Sequence, residues 1–300
     1  MTTPPDRSHI ATEGRNERSM NLHALSARAC VDLIVAEDRA VFEAMDRARG
    51  DIAALVEAAE PGFVAGGRLI YLGAGTSGRL GVLDASEAPP TFQVEPGRVV
   101  GLIAGGDRSL RVSSEAREDD RDGAREELEA LGLCARDTVI GIAAGGTTPY
   151  VLGGVELAKA SDATTGLIVC TPIDRPGFVD YLIALETGPE VVTGSTRMKA
   201  GTATKMTLNT ISTTLMVRQG RVYENLMVDL RATNAKLRDR AARIIATLTG
   251  LERDDAFVLL GRAGGGVKVA IVMARLGLER EQAERKLEAG GGRLDRALST

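Results

Sequence analysis

Three stretches of the 300-residue chain gather glycine with small hydroxyl side chains: Gly73-Ala74-Gly75-Thr76-Ser77-Gly78, Ala144-Gly145-Gly146-Thr147-Thr148-Pro149, and Thr193-Gly194-Ser195-Thr196 ahead of Lys199. Hydroxyls beside the unpaired N–H groups of a helix start are groups that bind a phosphate. The first stretch follows the apolar run Arg68-Leu69-Ile70-Tyr71-Leu72 and matches G-x-G-x-x-G, the dinucleotide fingerprint. The acid that should hold a ribose about 20 residues on is missing there, because the next β-branched run ends Leu102-Ile103-Ala104-Gly105-Gly106 and Asp107 comes late. Thr76 and Ser77 suit a phosphate monoester instead, although each could also simply cap a helix. Such hydroxyl-rich turns recur at three strand ends, and together they favour a sugar phosphate.

Two sets of carboxylates could supply acid–base chemistry. In Asp84-Ala85-Ser86-Glu87-Ala88-Pro89-Pro90 the prolines are predicted to stop the first helix, leaving Glu87 at its C-terminal end. The negative end of a helix dipole favours a protonated carboxyl, which suits a general acid, while a solvated terminal glutamate is the plainer alternative. Glu115, Glu118, Asp119 and Asp120 form an acidic cluster after the second strand, a pattern that also fits a solvated face. His9 and His23 lie in or near the N-terminal arm and offer neither a triad nor a metal site. Cys30, Cys134 and Cys170 are far apart and outside any C-x-x-C spacing, so they read as small buried hydrophobes in a reducing compartment.

The elements that must position these groups follow from periodicity. Residues 1 to about 20 look like a flexible arm, and Ser26 to Ala59 reads as two helices broken near Gly50. Short β-branched runs then alternate with helical stretches: RLIYLGAG, RVVGLIAGG, DTVIGIAAGG, TTGLIVCTP and YLIALETG. Runs apolar on both faces belong in a parallel sheet, so an α/β doubly wound sheet of about five strands is expected, with its ligand crevice beyond the strand ends. Beyond Tyr223 the pattern is helical to the end, with Gly250 stopping one helix and three short helices following. The expected divisions are 1–55 for the N-terminal arm and helices, 56–220 for the sheet domain and 221–300 for a helical region. A net charge of -4 with dispersed Lys and Arg excludes a nucleic-acid footprint. The polar N-terminus lacks a signal peptide and no apolar run approaches the ~20 residues of a membrane span, so a soluble, cytoplasmic protein is expected.

The strings TEGRNERS, RLIYLGAGTSGRLGVLDASEAPPTF, VVGLIAGG, GIAAGGTTPYV, TGPEVVTGSTRMKAGTATKM and NLMVDLRATNAKL resemble the N-acetylmuramic acid 6-phosphate etherases, from about Thr12 to the C-terminus. The resemblance implies a sugar isomerase (SIS) fold with a five-stranded parallel sheet sandwiched by helices and a small C-terminal UBA-like bundle. It implies a homodimer with active sites at the subunit interface, and no metal or organic cofactor. By motif, Glu87 matches the family's general acid and Glu118 its general base. Substrate contacts are expected from Gly75, Thr76, Ser77, Gly145 and Thr147, and from Glu190, Ser195, Thr196 and Lys199. If the helix runs unbroken from Ser77 to Glu87, the two lie ~15 Å apart, longer than the reach from a hexose phosphate to C3. Either that helix ends early or Glu87 serves the neighbouring subunit. Where the etherases commonly read A-A-S-G-R-T-P, this chain has Ala143-Ala144-Gly145-Gly146-Thr147-Thr148-Pro149, losing a serine and an arginine. A sugar phosphate sensor without catalysis is the alternative from another class, and an aldose–ketose isomerase is a third reading that leaves the long strings unexplained.

Overall fold

In the computed structural model, which describes residues 6–112, 117–230 and 234–299, the chain divides into two compact units. The first comprises Met1–Ser86 and Gly97–Ser212, the second Glu87–Pro96 and Thr213–Thr300. The expected divisions at 55 and 220 differ from these: the N-terminal helices share a unit with the sheet, and residues 87–96 join the C-terminal helices.

The first unit carries five parallel strands, β1 (Leu69–Gly73), β2 (Val99–Ile103), β3 (Thr138–Ile142), β4 (Thr164–Val169) and β5 (Tyr181–Ala184), in the order β2-β1-β3-β4-β5. These are the five runs expected from the sequence. Every residue of β1 and β3 is buried, as central strands covered on both faces require, whereas the edge strands β2 and β5 are partly exposed. Ile70 and Leu72 join one core with Val139, Leu167, Val151 and Val155, the last two from helix α5 (Pro149–Ala160). The alternate residue Tyr71 faces the other way, toward helix α3 (Gly75–Phe92), where Gly81 leaves room for its side chain. The order reverses between β1 and β3, so the crevice of such a sheet opens beyond their carboxyl ends.

Helices α1 (Ala27–Glu37) and α2 (Arg39–Val64) precede the sheet. The break falls at Asp38 and not near Gly50, which lies inside α2 in open space. An interior glycine costs only about 1 kcal/mol against alanine. The unbroken buried stripe Val41, Ala44, Ala48, Ile52, Leu55, Val56, Ala59 and Phe63 outweighs that cost. The expected flexible arm is also corrected. Residues 11–24 form three short 3-10 turns, and Ile10, Thr12 and Asn16 are buried. The prolines do not stop α3 either: it continues through Pro89 and Pro90 to Phe92. Each proline forfeits one helical N–H bond, but Gln93 N donates to Pro89 O at 2.9 Å and closes the last turn, and Ala88 is buried beside them. Helix α4 (Arg125–Leu131) lies between β2 and β3, and α6 (Lys199–Arg218) follows β5.

The second unit contains an unexpected hairpin, β6 (Val222–Tyr223) paired antiparallel to β7 (Leu226–Met227). Helix α7 (Ala235–Thr249) ends, as expected, on Gly250 in the left-handed conformation (φ 75°). The three expected short helices are α8 (Arg253–Arg262), α9 (Val267–Leu276) and α10 (Arg280–Ala289), and a further turn, α11 (Leu294–Leu298), closes the chain. Ile245, Leu260, Ile271 and Leu294 share one aliphatic core.

Candidate active site

The turn after β1 is built by close approach. A side chain at Gly73 would strike the Gly78 backbone, one at Gly78 would strike Gly73 O and Ile103, and Gly75 holds φ 51°. Glycine at these positions lets α3 begin directly on the strand end, with Thr76 and Ser77 half-buried in its first turn.

The turn before α6 meets it. The position a Cβ would take at Gly201 lies 3.5 Å from Thr76 Cγ2 and 3.3 Å from Thr196 O, so the first and last hydroxyl stretches are neighbours. Ser195 and Thr196 stand in the turn leading into α6, half-buried. Fully buried Glu190 accepts from Lys199 N at 3.0 Å and from Ala200 N at 2.9 Å, so its carboxylate occupies the N-terminus of α6. These two first-turn N–H groups of α6 are therefore taken by Glu190. Lys199 is also buried, its Nζ 3.0 Å from Glu37 Oε2 on α1. Burial alone would raise the Glu37 carboxyl, but bonds from Lys199 and from Asn16 Nδ2 (2.6 Å) outweigh it and lower its pKa below the usual glutamate value. Glu190 and Lys199, expected to touch substrate, thus lie beside the loop with their polar side-chain atoms bonded to protein groups.

The third hydroxyl turn follows β3, the neighbour of β1, with Gly145 half-buried and Thr147 exposed. Gly145 keeps a negative φ and has Ile10 Cγ2 at 3.6 Å as the nearest atom to a built Cβ, so a small side chain fits there. Helix α5 opens on Pro149, which needs no N–H in the first turn. At the next residue Tyr150 N donates to the backbone carbonyl of Glu118 at 3.0 Å, which ties the predicted base to the β3 turn. The Tyr150 hydroxyl donates to Glu127 Oε2 at 3.2 Å, and burial followed by Glu127's charge pushes that hydroxyl's pKa up. Burial likewise raises the Glu127 carboxyl. Gly105, Gly106, Arg117, Asp120 and Tyr150 line a cavity beside this segment. Glu115 of the acidic cluster lies outside the described residues. Glu87 is exposed on α3, in the second unit.

Sequence reasoning missed Glu37, Glu127 and Tyr150, whose importance rests on partners far along the chain. Of the cysteines only Cys170 is buried, its thiol pushed up to about 12 by burial; Cys30 and Cys134 are half-buried. Among the described residues no group of three His, Cys, Asp or Glu side chains is arranged to hold a metal, and no helix is long and apolar enough to cross a membrane.

Residues 51–159 match the family model described as the glucokinase regulatory protein N-terminal SIS domain. Among solved structures, phosphoheptose isomerase from Neisseria gonorrhoeae is similar at a TM-score of 0.47 and 18% identity, over 63% of this chain and 98% of that one. The N-acetylmuramic acid 6-phosphate etherase of Synechococcus sp. (strain CC9605) is 49% identical over 98% of this chain and 93% of its own. The Salmonella typhi etherase is 49% identical over 96% and 98%, and that of Mycolicibacterium smegmatis 47% over 98% and 99%. Matched almost end to end at this identity, the chain belongs to the N-acetylmuramic acid 6-phosphate etherase family, on a SIS-type five-stranded parallel sheet.

Proposed function

We propose that the protein cleaves the D-lactyl ether of N-acetylmuramic acid 6-phosphate with water, giving N-acetylglucosamine 6-phosphate and D-lactate, in cytoplasmic recycling of cell-wall sugars. The observation that carries the reading is the near full-length identity to the etherases, joined to hydroxyl turns that meet at Thr76 and Gly201. Thr76, Ser77, Ser195 and Thr196 hold the phosphate, with Gly75, Gly145 and Thr147 lining the turns and Glu190 and Lys199 shaping the loop. In the ring-opened sugar the C1 aldehyde acidifies the C2 proton, and Glu118 removes it. The C3–oxygen bond breaks as Glu87 gives its proton to the departing lactyl oxygen. Water then adds at C3 of the unsaturated aldehyde and a proton returns to C2, so one water is consumed overall. The two carboxyls must start in opposite protonation states.

Because α3 is unbroken through Glu87, an early helix end is removed as an explanation, and we assign Glu87 to the site of a second copy in a homodimer. Exposed Val31 and Val35, one turn apart on α1, and exposed Phe42 on α2 supply an apolar face for that copy. The decisive experiment incubates the protein with N-acetylmuramic acid 6-phosphate and assays D-lactate. A second reading, a sensor that binds without catalysis, is favoured by the missing serine and arginine at Gly145 and Thr147. Tight binding of sugar 6-phosphates with no D-lactate at saturation would select it.

A further inference from the structure

The string TEGRNERS carries the family resemblance, yet no step above uses it. In the structure this string and the two residues before it are fastened across the loops that end three strands. Ile10 is buried against Gly145 after β3, and Ala11 N donates to Thr171 Oγ1 after β4 at 3.2 Å. Asn16 Nδ2 donates to Pro189 O after β5 at 3.3 Å, and to Glu37. Between these anchors Glu13 is exposed, and its Oε2 sits 3.3 Å from where a Cβ at Gly194 would stand. Gly194, at φ 72°, both makes the turn and leaves room for that carboxylate, immediately before Ser195 and Thr196.

A carboxylate here can bind a sugar phosphate through the donors of the sugar. It is an acceptor only and repels the phosphate, so it must take the O–H or N–H donors beyond it. We propose that Glu13 is a substrate-contacting residue of the sugar phosphate site, its carboxylate accepting hydrogen bonds from the sugar's hydroxyl or amide donors while the Ser195–Thr196 turn takes the phosphate. The proposal rests on the assignment of the first unit as a sugar phosphate site, and not on the ether cleavage itself.

The test is calorimetric titration of the full chain, as wild type, Glu13→Ala and Glu13→Gln, with N-acetylglucosamine 6-phosphate and separately with inorganic phosphate. Loss of a hydrogen bond to a charged group corresponds to a rise in Kd of about tenfold to a hundredfold for the sugar phosphate in Glu13→Ala. Inorganic phosphate should bind unchanged or slightly tighter, and Glu13→Gln, which keeps an acceptor without the charge, should fall between. Because Glu13 is exposed, the thermal midpoint of each variant should match wild type. Unchanged sugar phosphate affinity in Glu13→Ala overturns the proposal, as does an equal loss for both ligands, which would mean that Glu13 only shapes the loop. A wild type that binds N-acetylglucosamine 6-phosphate but releases no D-lactate refutes the etherase reading and leaves this test intact. A wild type that binds no sugar phosphate refutes both.

Discussion

Glu118 and Glu87 are assigned different protons, so their amides should fail differently. Glu118→Gln cannot accept the C2 proton and is expected to abolish both D-lactate release and deuterium exchange at C2. Glu87→Gln should keep much of the exchange while slowing ether cleavage, since only the leaving oxygen loses its donor. Exchange by mass spectrometry in deuterated water checks both, and normal exchange in Glu118→Gln would reject it as the base. At the third turn, the absent serine and arginine should leave a working enzyme with a raised KM. A Cβ at Gly145 meets Ile10 only at 3.6 Å and the backbone keeps a negative φ, so Gly145→Ser is accommodated. Combined with Thr147→Arg at an exposed position, it should lower KM about tenfold, the scale of one hydrogen bond to a charged group. Steady-state kinetics with N-acetylmuramic acid 6-phosphate reads this directly, and an unchanged or higher KM would show that the third turn does not meet the phosphate.

Strand β1 is held to its neighbours by buried polar groups at its start and at its middle. At its start, Asp137 accepts from Arg68 N at 2.8 Å, from Arg68 Nη2 at 2.6 Å and from Cys134 N at 3.0 Å, with its side chain fully buried. Burial opposes ionisation of Asp137, but the Arg68 side chain and these backbone donors outweigh it and hold its carboxyl below the usual range. A depressed carboxyl pKa adds stability that is fully present above the unfolded value of about 3.9 and lost as pH falls through the folded value. Asp137→Ala should therefore cost about 3–5 kcal/mol at pH 7, in line with breaking a buried ion pair. The difference from wild type should shrink below about pH 4, a trend urea unfolding at pH 7 and pH 3 would test. A pH-independent difference would mean that packing, and not the charge, is lost. Further along, the Tyr71 hydroxyl donates to Asp84 Oδ2 at 2.9 Å, while Asn209 Nδ2 (2.7 Å) and Ser212 Oγ (3.2 Å) hold Asp84 Oδ1. This joins β1, α3 and α6 beneath the hydroxyl turns. Tyr71→Phe should destabilise by about 1.5–3 kcal/mol with KM little changed, since it lies below the site.

A shared site in a two-fold dimer makes a prediction that no single-chain site can imitate. In a mixed dimer of Glu118→Gln and Glu87→Gln chains, one site holds both amides and the other holds both native carboxyls if Glu87 acts across the interface. Random mixing should then restore roughly a quarter of wild-type activity from one inactive and one slowed parent. If each chain uses its own Glu87, every site carries one amide and the mixture shows no more than the average of its two parents. Denaturing and refolding the two variants together, followed by a D-lactate assay, separates these outcomes. Size-exclusion chromatography with light scattering tests the proposed dimer independently, and Phe42→Asp on its proposed apolar face should shift the protein toward monomer.

The five strands were legible because each β-branched run is apolar on both faces, and burial of such a run in a parallel sheet is a local property of its residues. Gly250 as a helix stop and the hydroxyl turns at the strand ends were legible for the same reason: a left-handed glycine or a small side chain carries its meaning in a few neighbours. Tertiary structure decided what local signals argued against. Helix α2 passes through Gly50 because its buried stripe continues, and α3 passes through Pro89 and Pro90, with Gln93 N bonded to Pro89 O in its last turn. It also decided what had no local signal. The N-terminal arm is fastened to the strand-end loops, Glu190 caps α6, and Lys199 pairs with Glu37 across 162 residues. Propensity and periodicity encode which face of an element is buried. A buried ion pair or a capping carboxylate is specified only when distant segments meet, because its stabilisation depends on desolvated partners that no window of sequence contains.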